Sequence, residues 1–367
     1  MNTAPGPIPR RAYLDNLKAV LVAGVITGHV FITYAEVGSW AYREPSTNKA
    51  FIIPAALYVA VGSMFAMGLF FLLAGLLTPR ALARKGPADF LKDRLVRLGP
   101  PFLVFLLAVF PLVRWMGDGS GKSLAWFFSD QWKDPDPGPL WFVLVLFLFS
   151  AGYAVWRLFR PVRPAPRPWR PSIPAGLAAG IAATTFVVRL RFPIDSHQFL
   201  VAHVWQWPQC LGLFLFGIAC AENGWLDPVP DRLRRQAGLA ALGGALTIVA
   251  ALLLNMRSLD PLGGGMTWPA AAVAVGEGMT AVGSSVWLLG LFQRRFDHTG
   301  KLARALGRAA FGAYVLQAPV AVAIARLAHP LAVAPELKFL VVAPAAVAAS
   351  FGLAWLLARV PGLKRFL

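Results

Sequence analysis

Residues 140–157 read LWFVLVLFLFSAGYAVWR, an apolar run that meets no charge until it closes at Arg157. Transmembrane strands are about ten residues long and alternate apolar with polar positions, and this run does neither. Coiled as a helix at about 1.5 Å per residue, it would reach about 27 Å, close to the hydrocarbon thickness of a bilayer. A backbone crossing lipid must satisfy its own hydrogen bonds, and a helix does so within one segment.

Similar runs recur along the chain. Over its 367 residues, 57% are hydrophobic and 14% charged, against about 25% charged in ordinary soluble domains. One soluble core could not hide that much apolar surface. Spans are expected near 17–35, 52–77, 98–116, 140–157, 173–190, 203–220, 237–256, 269–292, 309–328 and 338–358. The second, being long, is expected to start with a tilted or re-entrant piece around Pro54. The third is expected to begin at Pro100-Pro101, prolines that a first helical turn accepts. The first apolar stretch is too long for a cleavable signal and lacks a small-residue cleavage site, so it is expected to stay as a span. The fold class is all-α: a polytopic bundle of about ten transmembrane helices, a single integral-membrane domain over 1–367 with no appended soluble domain.

The formal charge of +18 would suggest nucleic acid in a soluble protein. In a membrane protein it is topological, because Lys and Arg gather in cytoplasmic loops. With the N-terminus inside, segments from Arg10 to Arg365 on that side hold 25 of the 35 basic residues. Both termini are therefore expected in the cytoplasm, and no nucleic acid is expected as a partner. Within those segments, RLFRPVRPAPRPWR (157–170) is too rich in proline for a helix. It reads as a basic loop on anionic lipid headgroups or as a grip on an anionic substrate. Cys210 and Cys220 share one apolar run and read as buried small hydrophobes. The histidines are scattered, so no metal site is expected. His197, His298 and His329 read as solvated loop residues. Heavy use of Ala, Arg, Pro and Gly suits a multi-pass protein of a bacterial inner (plasma) membrane. The oligomeric state is left open.

Ionisable groups within spans are costly and mark function by default. The first span carries the densest set, LDNLKAVLVAGVITGH (14–29). Asp15 and Lys18, three apart, face the same way. Lys18 and His29, eleven apart, fall within about 20° of one stripe and about 16 Å apart along the axis. A cation at the membrane edge can hold a phosphate-bearing group. An imidazole deeper in can take a proton from a hydroxyl, because its unperturbed pKa lies near neutrality. Alternatively, Lys18 snorkels and His29 bonds a neighbouring helix. Glu277, between two glycines in the eighth span, could contact a sugar hydroxyl or bond an interior serine such as Ser284. His203 and Trp141, at the outer ends of their spans, suit either an interfacial aromatic belt or a sugar-stacking platform.

The first span resembles that of the membrane-bound acyltransferase-3 family, with a leucine-aspartate pair, a basic residue and a histidine after ten more positions. Further stretches fit in order. They are Phe70-Phe71-Leu72-Leu73-Ala74-Gly75, Lys92-Asp93-Arg94-Leu95-Val96-Arg97 before Pro100, Leu140-Trp141-Phe142, Phe214 to Gly217, and Phe311 to Pro319 with Tyr314 and Gln317. The opening YLDNLKAVLV is most similar to the branch holding the succinyltransferases of periplasmic glucan biosynthesis. The chain departs twice from the family's pattern. Lys18 stands for the usual arginine and loses the bidentate fork. Gln317 stands for a common histidine and cannot carry a proton at neutral pH.

The resemblance implies an O-acyltransferase that moves an acetyl or succinyl group from cytoplasmic acyl-coenzyme A to a hydroxyl of an extracytoplasmic sugar or glycan. Acyl-coenzyme A would be a co-substrate, with no tightly bound cofactor, and membrane lipid the surrounding partner. In that scheme Lys18, Arg94 and Arg97 hold donor phosphates, although Arg94 and Arg97 also suit plain positive-inside anchoring. His29 activates the acceptor or carries the acyl group, and Asp15 pairs with Lys18 or a cytoplasmic arginine and fixes its direction. Glu277, Trp141, Tyr314, Gln317 and His203 are the candidate substrate contacts. A transporter or flippase of a glycosidic or anionic molecule, or a non-catalytic partner in polysaccharide export, would use the same buried polar groups.

Overall fold

The computed structural model describes residues 11–35, 37–160, 166–194, 196, 198, 202–255 and 258–363. The expectations for Arg10, for His197, for Lys364 and Arg365, and for positions 161–165 of the proline-rich segment fall outside them. Helices account for 79% of the chain, with no strand among the described residues.

Among the described residues, fourteen α-helices follow one another: α1 (Ala12–Ala35), α2 (Lys49–Ser63), α3 (Ala66–Lys85), α4 (Pro87–Val104), α5 (Phe110–Gly117), α6 (Leu124–Lys133), α7 (Trp141–Phe159), α8 (Ile173–Arg191), α9 (Trp207–Asn223), α10 (Asp231–Leu254), α11 (Asp260–Gly263), α12 (Trp268–Arg295), α13 (Lys301–Ala328) and α14 (Pro335–Leu357). They supply ten segments long and apolar enough to cross a membrane, matching the expected spans in number and order.

The third span, not the second, differs from expectation. The second span does start with a separate piece around Pro54, α2, which parts from α3 at Met64 and Phe65. Asn48 caps α2 by accepting from the Ala50 amide at 3.0 Å, so that helix begins several residues before the proline. In the third span the helix begins at Pro87, with Gly86 before it, and Pro100 and Pro101 fall in its interior. A proline there removes an amide donor and clashes with the preceding turn. The helix continues into a wider π turn at Phe105–Val109 before α5.

α1 lies within the bundle, touching α2, α3, α12, α13 and α14. α3 and α9 cross with their backbones close together. A Cβ on Gly75 would stand 2.2 Å from the Phe214 carbonyl, and one on Gly217 would stand 2.3 Å from the Leu72 carbonyl. Small residues at such a crossing let backbones meet and recover dispersion energy that lipid cannot supply. Leu239, Leu254 and Leu340 point outward, each more than 60% exposed, as a lipid-facing surface requires. One end of the bundle holds the start of α1, the start of α13 and the end of α14, and it carries most of the described Lys and Arg. This is the basic end of the bundle. The opposite end is covered by the 37–48 segment and α6.

Candidate functional site

The functional groups of α1 lie on the side that meets α13. At the basic end, Lys18 Nζ is 2.8 Å from Asp15 Oδ1. Asp15 is pressed against Gly307 of α13, where a side chain would come within 2.7 Å of its Cβ. The aspartate thus aims the lysine across the front of α13. Lys18 lines a cavity of about 180 Å³ with Arg94 of α4, Phe70 and Ala74 of α3, Phe142 of α7 and Tyr314 of α13. Arg94 reaches Thr78 Oγ1 at 3.5 Å and lies over the Phe90 ring. The Tyr314 hydroxyl donates to the Pro139 carbonyl, which ties α13 to the start of α7. The cavity therefore has two cations at one end and aromatic walls beyond, a shape suited to a thin chain with an anionic terminus.

Three turns further along α1, His29 turns into the bundle. Its Nδ1 donates to Gln317 Oε1 of α13 at 3.0 Å. That bond leaves the Nε2 lone pair free to accept a proton. The Trp40 ring stacks on the imidazole, centroids 4.1 Å apart and planes 14° from parallel. Gln317 Nε2 and Trp40 Nε1 are both buried and have no partner among the described residues. Two unpaired donors next to a histidine suit an incoming oxygen, because a buried N–H left unbonded costs about 1–3 kcal/mol.

Trp40 is held by the segment that covers the far end. The Glu44 amide donates to the Thr33 carbonyl at 2.9 Å, and the Ser46 amide to Tyr34 at 2.8 Å. Glu44 accepts from Lys338 of α14 at 2.5 Å and from the Tyr42 hydroxyl at 2.9 Å. Burial pushes the Glu44 carboxyl up, but the bonds from Lys338 and Tyr42 outweigh it and hold it below its usual range. Burial is also the chief reason that Tyr42 is pushed up to about 12.

The remaining candidates sit elsewhere. Arg97 does not face the Lys18 cavity but lines a separate hollow on the other side of α13. Glu277 is fully buried and does not use Ser284. Arg189 of α8 donates to its Oε2 at 2.5 Å, and Gln209 of α9 donates to its Oε1 at 2.9 Å. Both carboxylate oxygens are engaged by neighbouring helices in an interhelical clasp. Trp141 and His203 are neighbours, ring centroids 5.0 Å apart, and His203 also meets Trp205 at 5.9 Å. Trp141 and Trp205 are each only 7% exposed, so the three rings form a packed cluster. Arg157 ends α7 in an ion pair with Glu222 rather than lying free on lipid. His298 is exposed as expected, whereas His329 is exposed but bonded through Nδ1 to Tyr42 at 3.0 Å.

Arg189 and Trp40 are functional or structural partners that the sequence reading did not single out. An arginine inside the fifth span was a usable signal, since it requires an acidic partner, and Glu277 is the acid buried in the eighth. Trp40 offered none, being a loop residue.

The described residues thus carry two linked features on one helix: a cationic cavity at one end and an oriented imidazole deeper in the membrane. A search of curated proteins finds no match to the chain. The acyltransferase-3 family model, described as an acyltransferase domain, matches residues 11–359. With nearly the whole length matched and ten spans in order, the chain belongs to the acyltransferase-3 family and is a multi-pass membrane acyltransferase.

Proposed function

We propose that this acyltransferase takes an acetyl or succinyl group from acyl-coenzyme A at the basic end and delivers it to a sugar or glycan hydroxyl arriving from the far end. The observation that carries the reading is the sharing of α1 by Lys18, at the mouth of the cationic cavity, and His29, bonded to Gln317. In this reading the basic end faces the cytoplasm, in a bacterial inner membrane.

Lys18 and Arg94 attract the donor's phosphates, and Phe70, Phe142 and Tyr314 line the path of its arm. His29 Nε2 takes the proton from the acceptor hydroxyl. That oxygen bonds to the thioester carbonyl carbon, the C–S bond breaks, and the departing thiolate recovers the proton from the imidazolium. General-base assistance of this type contributes about 10²–10⁴-fold in rate. Gln317 Nε2 and Trp40 Nε1 supply hydrogen bonds to oxygen as charge builds on it.

The test uses membranes given radiolabelled acetyl- or succinyl-coenzyme A and a cell-envelope glycan fraction. Label is expected in glycan with wild type and at background with His29→Ala. Equal labelling by both would remove His29 from the mechanism. No label from either donor, with glycan accumulating outside cells, would favour transport instead.

A further inference from the structure

The hollow that takes Arg97 away from the Lys18 cavity has its own character. It encloses about 760 Å³ between α4, α13 and α14. Its charged walls are Arg97, Lys301, Arg304, Arg308 and Arg359, and no carboxylate lines it. Lys301, Arg304 and Arg308 are spaced three and four apart, so α13 presents them on one face. Ala305, Ala309 and Ala358 form a floor whose small side chains leave the space open.

These five cations crowd one space that no carboxylate lines. At the same end Lys18, Lys85, Arg157, Arg234 and Arg294 each have an acidic partner. None of the five has an ion pair among the described residues. Like charges gathered around one space repel one another, and a counter-anion of more than one charge would relieve them.

The rim identifies the class of anion. Leu302, next to Lys301 in sequence, is 71% exposed, and Leu356 and Val360, next to Trp355 and Arg359 in sequence, are also exposed. Arg359 lies 3.4 Å over the Trp355 ring, an aromatic-cation pair typical of the membrane interface. A ligand that fits presents phosphate to the cations and hydrocarbon to the rim. The Lys18 cavity uses Ala310, Phe311 and Tyr314, which at about 100° per residue lie on the opposite side of α13. The two spaces are therefore separate.

We propose that this hollow is a binding site for the headgroup of an anionic phospholipid, with a two-phosphate headgroup of the cardiolipin type engaging the most cations. The inference needs neither the donor nor the acceptor assigned above. Basic pockets between transmembrane helices hold such headgroups by charge and by the geometry of the phosphate oxygens.

The experiment titrates the purified full-length protein in neutral detergent with fluorescent cardiolipin. Affinity for R304Q/R308Q/R359Q is expected to fall about tenfold or more below wild type, with a weaker dependence on salt. R84Q/R232Q/R235Q, which removes three exposed charges elsewhere at this end, is expected to bind as wild type. An equal fall in that control would make the effect general charge and overturn the site, as would unchanged binding by R304Q/R308Q/R359Q. Coenzyme A is added as competitor to the wild-type complex and is expected to leave the lipid bound. Displacement would reassign the hollow to the donor's nucleotide. Should the triple variant unfold, K301Q/R304Q carries the same comparison with two exposed side chains.

Discussion

His29 Nδ1 meets Gln317 Oε1 at 3.0 Å, joining two helices that lie 288 residues apart in sequence. The bond sets which imidazole nitrogen carries the proton. Gln317→Leu keeps the bulk and removes the acceptor. Acyl transfer by that variant is expected to fall about tenfold, the worth of one buried hydrogen bond of about 1.4 kcal/mol. Gln317→Glu puts a carboxylate beside the imidazole and favours its charged form. The acid limb of the pH–rate profile is then expected to move to higher pH. A profile identical to wild type would remove Gln317 from the control of His29.

Lys18 and Asp15 make a 2.8 Å pair whose side chains are 31% and 14% exposed. Solvent screens such a pair, so Asp15→Asn is expected to change stability by less than about 1 kcal/mol. Its effect belongs to donor binding, through the aim of the ammonium. Lys18→Ala is expected to raise the donor KM more than it lowers kcat. Lys18→Arg restores the charge and adds a second donor for phosphate, so its KM is expected to be no higher than wild type.

The Arg189–Glu277 pair separates a structural role from a substrate contact. Removing one partner leaves a buried charge unpaired and is expected to cost about 3–5 kcal/mol in Glu277→Ala. The double replacement R189M/E277L removes both charges and is expected to recover most of that loss in thermal unfolding. Activity returning with stability would assign Glu277 to the clasp. A stable but inactive double variant would return it to the substrate.

At the α3–α9 crossing, Gly75→Ala places a methyl 2.2 Å from a carbonyl oxygen. Overpacking of this kind costs about 1–3 kcal/mol. Gly152→Ala, where nothing lies within 4 Å, is the matched control and is expected to unfold at the wild-type temperature.

Glu44 provides a pH test. Its carboxyl titrates below the ordinary value of 4.5 in the folded protein. The bonds from Lys338 and Tyr42 therefore contribute fully above that value and are lost as pH falls through the folded one. The melting temperature of wild type is expected to drop over that acid range more than that of Glu44→Gln, and the two curves are expected to converge at the acid end.

The spans are legible in the sequence because lipid imposes a length on every helix, and an uninterrupted run such as 140–157 has no other use. Lys18 and His29 are legible for the same reason: one helix has one period, and spacing fixes which residues share a face. Partners on other helices are not. Glu277 suggests a serine seven residues along because periodicity sees only its own helix, whereas Arg189 and Gln209 reach it from α8 and α9. Trp40 is hidden because a loop has no period. The prolines of α4 mislead because they sit inside a helix that starts at Pro87, which sequence rules would start later.

The placement of Lys18 and His29 on one rigid cylinder has a mechanical consequence. The azimuth of α1 acts as a single dial for both groups, and turning it by one residue's step would swing each out of register together. The Tyr58 hydroxyl, which donates to the Gly24 carbonyl at 2.9 Å midway between them, is a brake on that dial. Tyr58→Phe, which removes only that bond, is therefore expected to loosen donor capture and chemistry by the same factor.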